Sequence, residues 1–507
     1  MLDFDLRVGF HHSGTPPCER LPLTARLAVP DITSVEPSRP AQDPTRLFEA
    51  QRRAYRSTGS PDYALRRDRL QRLLRVIEDN EAALVDAMRL DFGHRSPVES
   101  RMLDIALTMG DIRQDIRRLK GWMAPRRVAT PLHMRPARSR IIPQPLGVVG
   151  VIGPWNFPVY TAIPPVAAAI AAGNRVMLKP SELTPRTSAL LADAISKVFA
   201  EDELAVVIGG IDVARAFSSL PFDHLFFTGS TAVGREVAKA AALNLTPVTL
   251  ELGGKSPCVV TPSADVALAA TKIVYGKLIN AGQACIAPDY VLLPRGSEQA
   301  FSQAAQAAAA KHYPTLADNP DFTAVFSAGH YARLEALVRD AEEQGAQVTR
   351  VNPANEALDP EKRKMPLTLI AGATGAMRVM QSEIFGPLLP VVSYDALSDA
   401  IAFVNERDRP LALYAFGKAA DCDRVLRETV SGGATVNDVL WHVANEKLPF
   451  GGVGPSGMGA YHGQAGFDTF SHHKSVLYQP AFNAIPLFYP PYGKTMAFIV
   501  NVLKKFI

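Results

Sequence analysis

Cysteine is scarce in this chain of 507 residues, which contains only Cys18, Cys258, Cys285 and Cys422. The four lie far apart and form no Cys-x-x-Cys pair, so the sequence offers neither a disulfide framework nor the spacing of a zinc site. His472 and His473 have no cysteine or carboxylate at metal spacing beside them, and we predict no metal site. Such cysteine usage is typical of a reducing compartment, and we expect a cytoplasmic protein.

Long apolar runs are also absent. A helix that spans a bilayer needs about 18 or more apolar residues in succession, and no stretch reaches that length. Residues 1–14, MLDFDLRVGFHHSG, lack the charged-then-apolar pattern of a signal peptide. Residues 485–507 predict a short amphipathic helix with basic residues, so we expect packing on a surface or in a dimer rather than membrane spanning.

A strong charge imbalance is missing too. The chain has 54 Lys and Arg against 50 Asp and Glu, a net charge of +4. The basic residues are dispersed, so nucleic-acid binding is not expected. With 47% apolar and 21% charged residues, the composition is that of a soluble globular protein of two or three domains.

The order of periodic segments predicts an α/β fold. Short β-rich runs alternate with helical ones up to Glu251, and the same alternation follows it, which favours two doubly wound parallel-sheet domains, one Rossmann-like and one catalytic. A hairpin is expected over residues 135–145, outside the main sheets. The predicted parts are a poorly ordered Pro-rich extension (1–44), a cofactor domain (45–250), a catalytic domain (251–447), a return segment (448–484) and a tail (485–507).

Three residues carry the chemistry that we predict. Cys285 lies in INAGQACIAPDY, and a thiolate is a strong nucleophile when a base or a lowered pKa supports it. Glu251, on a turn after an apolar run, is a candidate base. Asn156, in the rigid PWNFP loop, is a candidate donor to an oxyanion. Each alone is more often a buried thiol, a surface charge or a turn residue, but their co-occurrence indicates an enzyme that attacks a carbonyl group.

A nucleotide site is predicted at FTGSTAVG, where a strand ends and a helix opens. Gly229 permits a tight turn, Ser230 can cap the helix, and the helix N-terminus favours a pyrophosphate. The motif is not GxGxxG. Arg235 and Glu236 replace the Lys-Ser/Thr pair of a P-loop, which disfavours ATP.

Seven segments together resemble the hallmark motifs of the aldehyde dehydrogenase superfamily, in that family's order. They are PWNFP, LKPSELTP, FTGSTAVG, TLELGGKSP, NAGQAC, EIFGP and LPFGGVGPSGMGAYHG. Within the superfamily, the runs QPLGVVGVI, PFDHLFFTG, APDYVLLP and VNDVLWHV are similar to the branch of fatty-aldehyde and coniferyl-aldehyde dehydrogenases. The resemblance also implies a small β oligomerisation arm, formed by residues 132–146 and a strand of the return segment 448–484. That branch is mostly dimeric, so the resemblance implies a homodimer.

The resemblance implies NAD(P)-dependent oxidation of an aldehyde to its acid through a thiohemiacetal and a thioester on a cysteine. Lys179 and Glu182 are then expected to face the adenine ribose, Glu383 the nicotinamide ribose, and Phe385 the ring, with Trp155 as a pocket wall. A carboxylate near the 2′-hydroxyl favours NAD, although Lys179 leaves NADP open. The cofactor candidates are Trp155, Lys179, Glu182, Gly229, Ser230, Thr231, Gly234, Leu252, Glu383 and Phe385.

The substrate is the least determined feature. If VNDVLWHV lies where the family has it, then Val439, Leu440, Trp441 and His442 line the entrance, and Trp441 suggests an aromatic or apolar substrate. The expected aldehyde is aromatic, cinnamyl-type or medium- to long-chain aliphatic. The segment 445–447, Asn-Glu-Lys, differs from what the branch leads us to expect, so coniferyl aldehyde itself stays open.

Three rival functions stay open. A CoA-acylating dehydrogenase resolves the thioester with CoA, and the retained Glu251 argues against it. A non-catalytic NAD-binding structural protein on the same fold should lose a catalytic residue, whereas this chain keeps Cys285, Glu251 and Asn156. A fatty-aldehyde enzyme at a membrane surface differs only in substrate and location.

Overall fold

The computed structural model describes residues 43–483 and 485–506, which all belong to one compact unit. The predicted extension, residues 1–44, lies outside the described residues apart from its last two. Asp43 caps the first helix, Pro44–Thr58, through its carboxylate, and proline suits a first helical turn because its missing N–H leaves no donor unpaired. This helix begins where the helical periodicity of the sequence begins.

The α-helices in chain order are α1 (Pro44–Thr58), α2 (Tyr63–Asp79), α3 (Glu81–Asp91), α4 (Pro97–Glu99), α5 (Leu107–Trp122), α6 (Ile163–Ala172), α7 (Pro185–Ser196), α8 (Ile211–Ser218), α9 (Thr231–Ala242), α10 (Val266–Leu278), α11 (Glu298–His312), α12 (Ala328–Glu343), α13 (Arg378–Gln381), α14 (Leu397–Asn405), α15 (Ala419–Glu428), α16 (Gly463–Thr469) and α17 (Lys494–Phe506). A π-helical turn, Ser100–Ala106, joins α4 to α5, so the helical segment from Pro97 to Trp122 is continuous but changes its hydrogen-bond register.

The strands in chain order are β1 (Arg126–Val128), β2 (Arg138–Pro145), β3 (Val148–Ile152), β4 (Arg175–Lys179), β5 (Leu204–Val206), β6 (His224–Thr228), β7 (Val248–Glu251), β8 (Pro257–Val260), β9 (Tyr290–Pro294), β10 (Gln347–Val351), β11 (Leu367–Ala371), β12 (Leu388–Tyr394), β13 (Ala412–Phe416), β14 (Gly433–Val436), β15 (Gly457–Met458) and β16 (Ser471–Tyr478).

The first large sheet has the order β15-β7-β6-β3-β4-β5. Strands β3 to β7 run parallel, and only β15 is antiparallel, against β7. Every residue of β3 and β4 is buried, as expected for parallel strands with helices on both faces. The carboxyl ends of β3, β4, β6 and β7 consequently meet at one edge, where the predicted cofactor motifs begin.

The second large sheet has the order β10-β11-β12-β9-β8-β13-β14 and is parallel except for β10 at its edge. Its strands come from the chain between Pro257 and Val436, after those of the parallel part of the first sheet. The α/β class with two doubly wound sheets is thus confirmed. The boundary between a cofactor and a catalytic domain at residues 250 and 251 stays a prediction.

A third, antiparallel sheet combines β1, β2 and β16 in that order. The predicted hairpin over residues 135–145 is wrong in detail, because this segment is the single strand β2. The chain reverses before it, in the proline-containing stretch 129–137, and β2 pairs with β1 on one side and β16 on the other. Over its full length β2 pairs with β16, from Ser471 opposite Pro145 to Tyr478 opposite Arg138.

The tail forms the helix α17, as its amphipathic pattern predicts. Of the helices in the described part of the chain, none combines the length and apolarity that crossing a bilayer requires.

Candidate functional site

Cys285 lies in a tightly specified loop that follows α10. A 3₁₀ turn, Ile279–Gly282, leads to it, and the backbone is left-handed at Asn280 (φ 50°), Ala281 (φ 53°) and Gly282 (φ 73°). A side chain on Gly282 would place its Cβ 2.5 Å from the carbonyl oxygen of Gly386. Only glycine therefore fits, and the close approach of two backbones fixes the loop.

Gln283 fastens this loop from inside. Its buried side chain donates from Nε2 to the carbonyl oxygens of Asn280, at 2.9 Å, and Ala324, at 3.1 Å. Its Oε1 accepts the backbone N–H of Phe326 at 2.7 Å. A buried amide with satisfied bonds holds its segment in one conformation.

Asn156 reaches the same loop from the segment after β3. Its Nδ2 donates to the carbonyl oxygen of Gln283 at 3.2 Å, and Asn280 Nδ2 donates back to the carbonyl oxygen of Asn156 at 3.0 Å. An amide nitrogen carries two protons, so Asn156 keeps one for a further acceptor. The structure thus brings the predicted amide into contact with a residue two positions before Cys285.

Glu251 is the last residue of β7 and only 2% exposed. Among the residues that the structure describes, neither of its carboxylate oxygens has a hydrogen-bond partner. Burial raises the pKa of Glu251 well above its ordinary value. An unpaired buried carboxyl group destabilises a fold, so its presence here favours a chemical role over a structural one.

Cys285 keeps part of its surface accessible, whereas Cys258 and Cys422 are buried. Loss of hydration and then the negative charges of Glu383 and Glu251 raise the pKa of the Cys285 thiol to about 12. Hydrogen bonds from the backbone N–H groups of Cys285 and Ile286 partly offset this rise. The resting thiol is therefore protonated and needs a base. Glu251 is therefore near enough to this sulfur for its charge to contribute to the raised pKa of the thiol.

Glu383 also belongs to this site. Burial and then Asp289 raise its pKa to about 8, whereas the Gly254 N–H and the charges of Lys255 and Arg333 oppose the rise. Within the described residues, Glu383 Oε1 has no hydrogen-bond partner. A Cβ on Gly253 would collide with this carboxylate, so the glycine makes room for it. A buried acceptor without a partner fits the predicted role of binding a ribose hydroxyl group.

Trp155 packs within a cluster of rings, and its role as a pocket wall stays a prediction. Its ring centroid lies 4.3 Å from that of Phe326, 5.2 Å from His330 and 5.5 Å from Phe385. Phe385 has a left-handed backbone, with φ 51°. Trp155 stacks on His330 and meets Phe385 edge to face, so the cluster offers apolar ring surfaces beside which a planar ring can pack.

The turn between β6 and α9 is organised by close packing. Ser230 caps α9 by accepting the N–H of Val233, as predicted. The reason predicted for Gly229 is wrong: its φ is not left-handed, but a Cβ there would lie 2.5 Å from the ring of Phe227. The Gly229 N–H donates to the carbonyl oxygen of Glu251 at 3.0 Å, which joins this turn to the strand end that carries the candidate base.

Thr231 and Gly234, in the first turn of α9, pack against neighbouring segments. A Cβ on Gly234 would lie 2.5 Å from Leu252 Cδ2, and Thr231 Oγ1 donates to the carbonyl oxygen of Pro455 at 3.2 Å. The first turn of α9 is therefore held against the segment after β7. The small residues and the exposed helix N-terminus fit a pyrophosphate.

Lys179 and Glu182 pair with each other at the carboxyl end of β4. Lys179 Nζ lies 2.6 Å from Glu182 Oε2, and it also donates to the carbonyl oxygen of Pro180 at 3.1 Å. The lysine is buried at 1% exposure, whereas Glu182 is 42% exposed. The ammonium group thus orients a carboxylate that still faces solvent and can accept from a ribose.

The predicted substrate residues divide into two groups. Trp441 is half exposed, and Leu440 adopts a left-handed backbone with φ 69°. Val439 is fully buried and belongs to the core, so the expectation that it lines the entrance is wrong. His442 is turned inward, with Nδ1 2.9 Å from Thr435 Oγ1, and burial lowers its pKa to about 4.

Several residues of the site were not predicted from the sequence. Gln283 and Asn280 lie inside a recognised motif, but the hydrogen bonds of their side chains are visible only in three dimensions. Glu99, Asp104 and Arg95 are buried charged residues of the N-terminal helical region. The available signal was a charged residue on the apolar face of an amphipathic helix, which indicates a paired or functional group.

The comparisons with known proteins agree with this arrangement. The aldehyde dehydrogenase family model matches residues 32–476. The chain is 48% identical over 458 residues to a probable coniferyl aldehyde dehydrogenase of Pseudomonas aeruginosa, and the match covers 90% of this chain and 95% of that protein.

Two solved structures extend the comparison. A substrate-bound state of Staphylococcus aureus AldH has a TM-score of 0.86 at 36% identity, covering 91% of this chain and 99% of that one. A Mycobacterium tuberculosis aldehyde dehydrogenase complexed with NAD⁺ has a TM-score of 0.78 at 27% identity, covering 88% and 92%. Because the family model and these relatives extend over most of the sequence, the chain belongs to the aldehyde dehydrogenase family and is an enzyme that oxidises aldehydes to carboxylic acids.

Proposed function

We propose that the enzyme oxidises aromatic, cinnamyl-type aldehydes with NAD, using Cys285 as nucleophile, Glu251 as base and Asn156 as oxyanion donor. The observation that carries this proposal is the convergence of three distant segments. Asn156 is hydrogen-bonded to the loop of Cys285, and the carboxyl group of Glu251 acts electrostatically on its sulfur. Nucleophile, base and oxyanion donor are the groups that acyl chemistry at a carbonyl requires.

The first step is formation of a carbon–sulfur bond. The ionised form of Glu251 takes the proton of the Cys285 thiol, because the raised pKa of that thiol keeps it protonated. The sulfur attacks the carbonyl carbon, and the π electron pair moves to the oxygen. The second amide proton of Asn156 and the backbone N–H of Cys285 donate to this oxyanion, so the thiohemiacetal forms beside preorganised donors.

The oxidation step needs a hydride acceptor. A bound nicotinamide ring supplies that acceptor. Glu383, with its Oε1 unpartnered among the described residues, would hold the ribose of this group, and Phe385, beside Trp155, would hold its ring. Loss of the hydride from the substrate carbon leaves a thioester on Cys285.

Hydrolysis completes the cycle. Glu251 first gives the thiol proton to solvent and then removes a proton from water, whose oxygen attacks the thioester carbon. The carbon–sulfur bond breaks to release the acid, and the Cys285 thiolate takes a proton back from Glu251. One aldehyde and one water thus give one carboxylic acid, one hydride for the acceptor and one proton for the solvent. The buried position of Glu251, at the strand end and without another hydrogen-bond partner in the described chain, suits a group that serves both steps.

The preference for NAD is supported by the Lys179–Glu182 pair. The carboxylate of Glu182 is oriented and partly exposed, so it can accept from a ribose 2′-hydroxyl group and repel a 2′-phosphate. We infer some use of NADP as well, because the ammonium group of Lys179 lies beside the same carboxylate. The NAD⁺ complex of the M. tuberculosis relative supports the preference for NAD.

We further infer a cytoplasmic homodimer. The three-stranded sheet presents exposed apolar side chains, among them Val128, Leu477 and Tyr478, which a second copy can cover. The cysteines of the described chain are free thiols, as in a reducing compartment. Light scattering of the purified protein tests the assembly, and a mass of one protomer would contradict it.

A substrate panel tests the proposed specificity. Cinnamyl-type aldehydes, hexanal and dodecanal are compared by kcat/KM with NAD and with NADP. We expect the cinnamyl-type compounds to lead, since Trp441 offers a flat apolar surface and the P. aeruginosa relative is named for coniferyl aldehyde. A lead for dodecanal would instead favour a fatty-aldehyde enzyme.

The same assays distinguish hydrolysis of the thioester from CoA acylation and from cofactor binding alone. Addition of CoA should leave the free acid as the product, whereas acyl-CoA would identify the acylating reaction. NAD binding without turnover of any aldehyde in the panel would favour a non-catalytic protein.

A further inference from the structure

Two carboxylates of one helical segment reach two different parts of the site. Glu99 is the last residue of α4, and Asp104 lies inside the π-helical turn Ser100–Ala106. A π turn adds a residue to the helical register and re-aims the side chains that follow it, and such turns are frequent at functional sites. Both carboxylates are buried, at 7% and 0% exposure.

Glu99 holds the start of the catalytic loop. Its Oε2 accepts the backbone N–H of Asn280 at 3.1 Å and the hydroxyl of Thr323 at 2.7 Å. Asn280 is the first of the left-handed residues that precede Cys285. This conformation is sparsely populated for residues other than glycine, so it persists only where neighbouring groups enforce it.

Asp104 holds the other half of the site. Its Oδ1 accepts the N–H groups of Val159, at 3.1 Å, and Tyr160, at 3.0 Å, just after the loop of Asn156. Its Oδ2 lies 2.6 Å from Nη2 of Arg95, which is itself fully buried. One helical segment is thus tied to the parts of the chain that carry the nucleophile and the oxyanion donor.

We propose that Glu99 is a positioning residue for Cys285, which fixes the left-handed turn at Asn280 from a helical segment that is anchored to the Asn156 loop. The proposal rests on the proposed role of Cys285. Glu99 acts through the backbone of the loop and does not touch the substrate. Without its carboxylate, the buried N–H of Asn280 loses its acceptor, and the turn can relax toward an ordinary backbone conformation.

The chain contains a matched control in Asp91. Its Oδ2 accepts the N–H of Thr187 at 2.9 Å and the hydroxyl of Thr187 at 2.7 Å, at the start of α7. Asp91 therefore accepts a backbone N–H and a threonine hydroxyl, as Glu99 does, and its Oδ1 also accepts the N–H of Arg186 at 3.1 Å. The segment that it holds carries no proposed catalytic group. Glu99→Leu and Asp91→Leu each remove one such carboxylate.

The experiment measures the alkylation rate of Cys285 by iodoacetamide, followed by mass mapping, together with kcat, NAD binding and thermal stability. We expect Glu99→Leu to lower both the alkylation rate of Cys285 and kcat by about tenfold to a hundredfold, because small displacements of a nucleophile have effects of that size. NAD affinity should stay within about twofold, since the cofactor residues are untouched. Asp91→Leu should lower thermal stability similarly and leave kcat unchanged.

Two conservative variants keep the test decisive if Glu99→Leu does not fold. Glu99→Gln retains an acceptor oxygen and should recover most of the alkylation rate and of kcat. Glu99→Asp keeps the charge but withdraws the acceptor from Asn280, and it should lose both. Unchanged alkylation of Cys285 in the Leu and Asp variants, or an equal loss of kcat in Asp91→Leu, would overturn the proposal.

Failure of the proposed function gives a different result. If Cys285→Ala still oxidises aldehydes, the nucleophile is assigned wrongly. The alkylation of Cys285 in the Glu99 variants does not depend on turnover, so it continues to report on the position of the loop.

Discussion

The side-chain amide of Asn156 donates to the backbone carbonyl of Gln283, 3.2 Å away and two residues before Cys285. This bond fixes the orientation of the amide and leaves its second proton for the substrate oxygen. For Asn156→Ala we expect kcat to fall by about 10²- to 10³-fold, the usual effect of removing one oxyanion donor. Steady-state kinetics checks this, with Asn244→Ala, an exposed asparagine, as the control. A loss confined to KM would contradict the assigned role.

Removal of the nucleophile should separate binding from chemistry. Cys285→Ala is expected to abolish aldehyde-dependent reduction of NAD, because no other thiol in the described part of the chain shares its accessibility. NAD binding, followed by fluorescence, should persist. The buried Cys422 gives the control, since Cys422→Ala removes a thiol from α15 and should retain turnover. Undiminished aldehyde oxidation by Cys285→Ala would contradict the proposed mechanism.

Removal of the base should expose the second half of the reaction. In Glu251→Gln, the amide cannot take a proton from water, so we expect hydrolysis to slow by about 10²- to 10⁴-fold. Any acyl-enzyme that forms should then accumulate and be detected on Cys285 by mass spectrometry. The exposed Glu236 provides the control variant, Glu236→Gln. A normal steady-state rate without accumulation would exclude Glu251 as the base.

The buried carboxyl group of Glu251 also predicts a pH dependence of stability. Its pKa in the folded protein is raised well above the ordinary 4.5 by burial, so between these values the folded state holds a proton that the unfolded state has lost. Stability from this group is present at low pH and is lost as pH rises, by at most about 1.4 kcal/mol per pH unit. Glutamine does not titrate.

Melting temperatures of the cofactor-free protein should therefore diverge. From pH 5 to pH 8, Glu251→Gln should gain stability relative to the wild type. Only the wild type must hold the Glu251 carboxyl group protonated, or bury its charge, at a pH where the unfolded chain ionises it freely. The exposed Glu236→Gln variant should show a constant difference across this range. A constant difference for Glu251→Gln as well would show that the carboxyl group is not perturbed.

Cofactor choice should depend on the Lys179–Glu182 pair. In Glu182→Gln the carboxylate that repels a 2′-phosphate is gone, while Lys179 stays available to pair with it. We expect the ratio of kcat/KM for NADP to that for NAD to rise about tenfold, equivalent to about 1.4 kcal/mol. Glu201→Gln, a change at an exposed glutamate, is the control. An unchanged ratio would remove Glu182 from cofactor discrimination.

Much of the fold followed from local patterns. The apolar runs of β3 and β4 and the amphipathic helices predicted two doubly wound sheets. A strand that is buried on both faces has apolar residues at consecutive positions, and this signal can be read directly from the sequence. The arm was harder. Residues 135–145 carry the alternation of a strand, but alternation does not show whether the chain folds back within the segment or pairs with β1 and the distant β16.

The site divides in the same way. Cys285, Glu251 and Asn156 were predicted because each lies in a short motif whose residue types already suit carbonyl chemistry. Glycine was expected at position 229 because of the backbone conformation of a tight turn. The structure gives a different reason, which is that the ring of Phe227 occupies the space that a Cβ would need.

The sequence by itself determined the fold class, the family and the three candidate reacting groups, since these depend on periodicity and on motifs of a few adjacent residues. Tertiary structure alone decided how those groups are held. Gln283 hydrogen-bonds across the loop of Cys285, Glu99 accepts the N–H of Asn280, and Lys179 pairs with Glu182. The bonds of Gln283 to Ala324 and of Glu99 to Asn280 join residues 41 and 181 positions apart. The physical reason is that a buried polar group is stable only when a partner meets it in space, and position along the chain does not specify that partner.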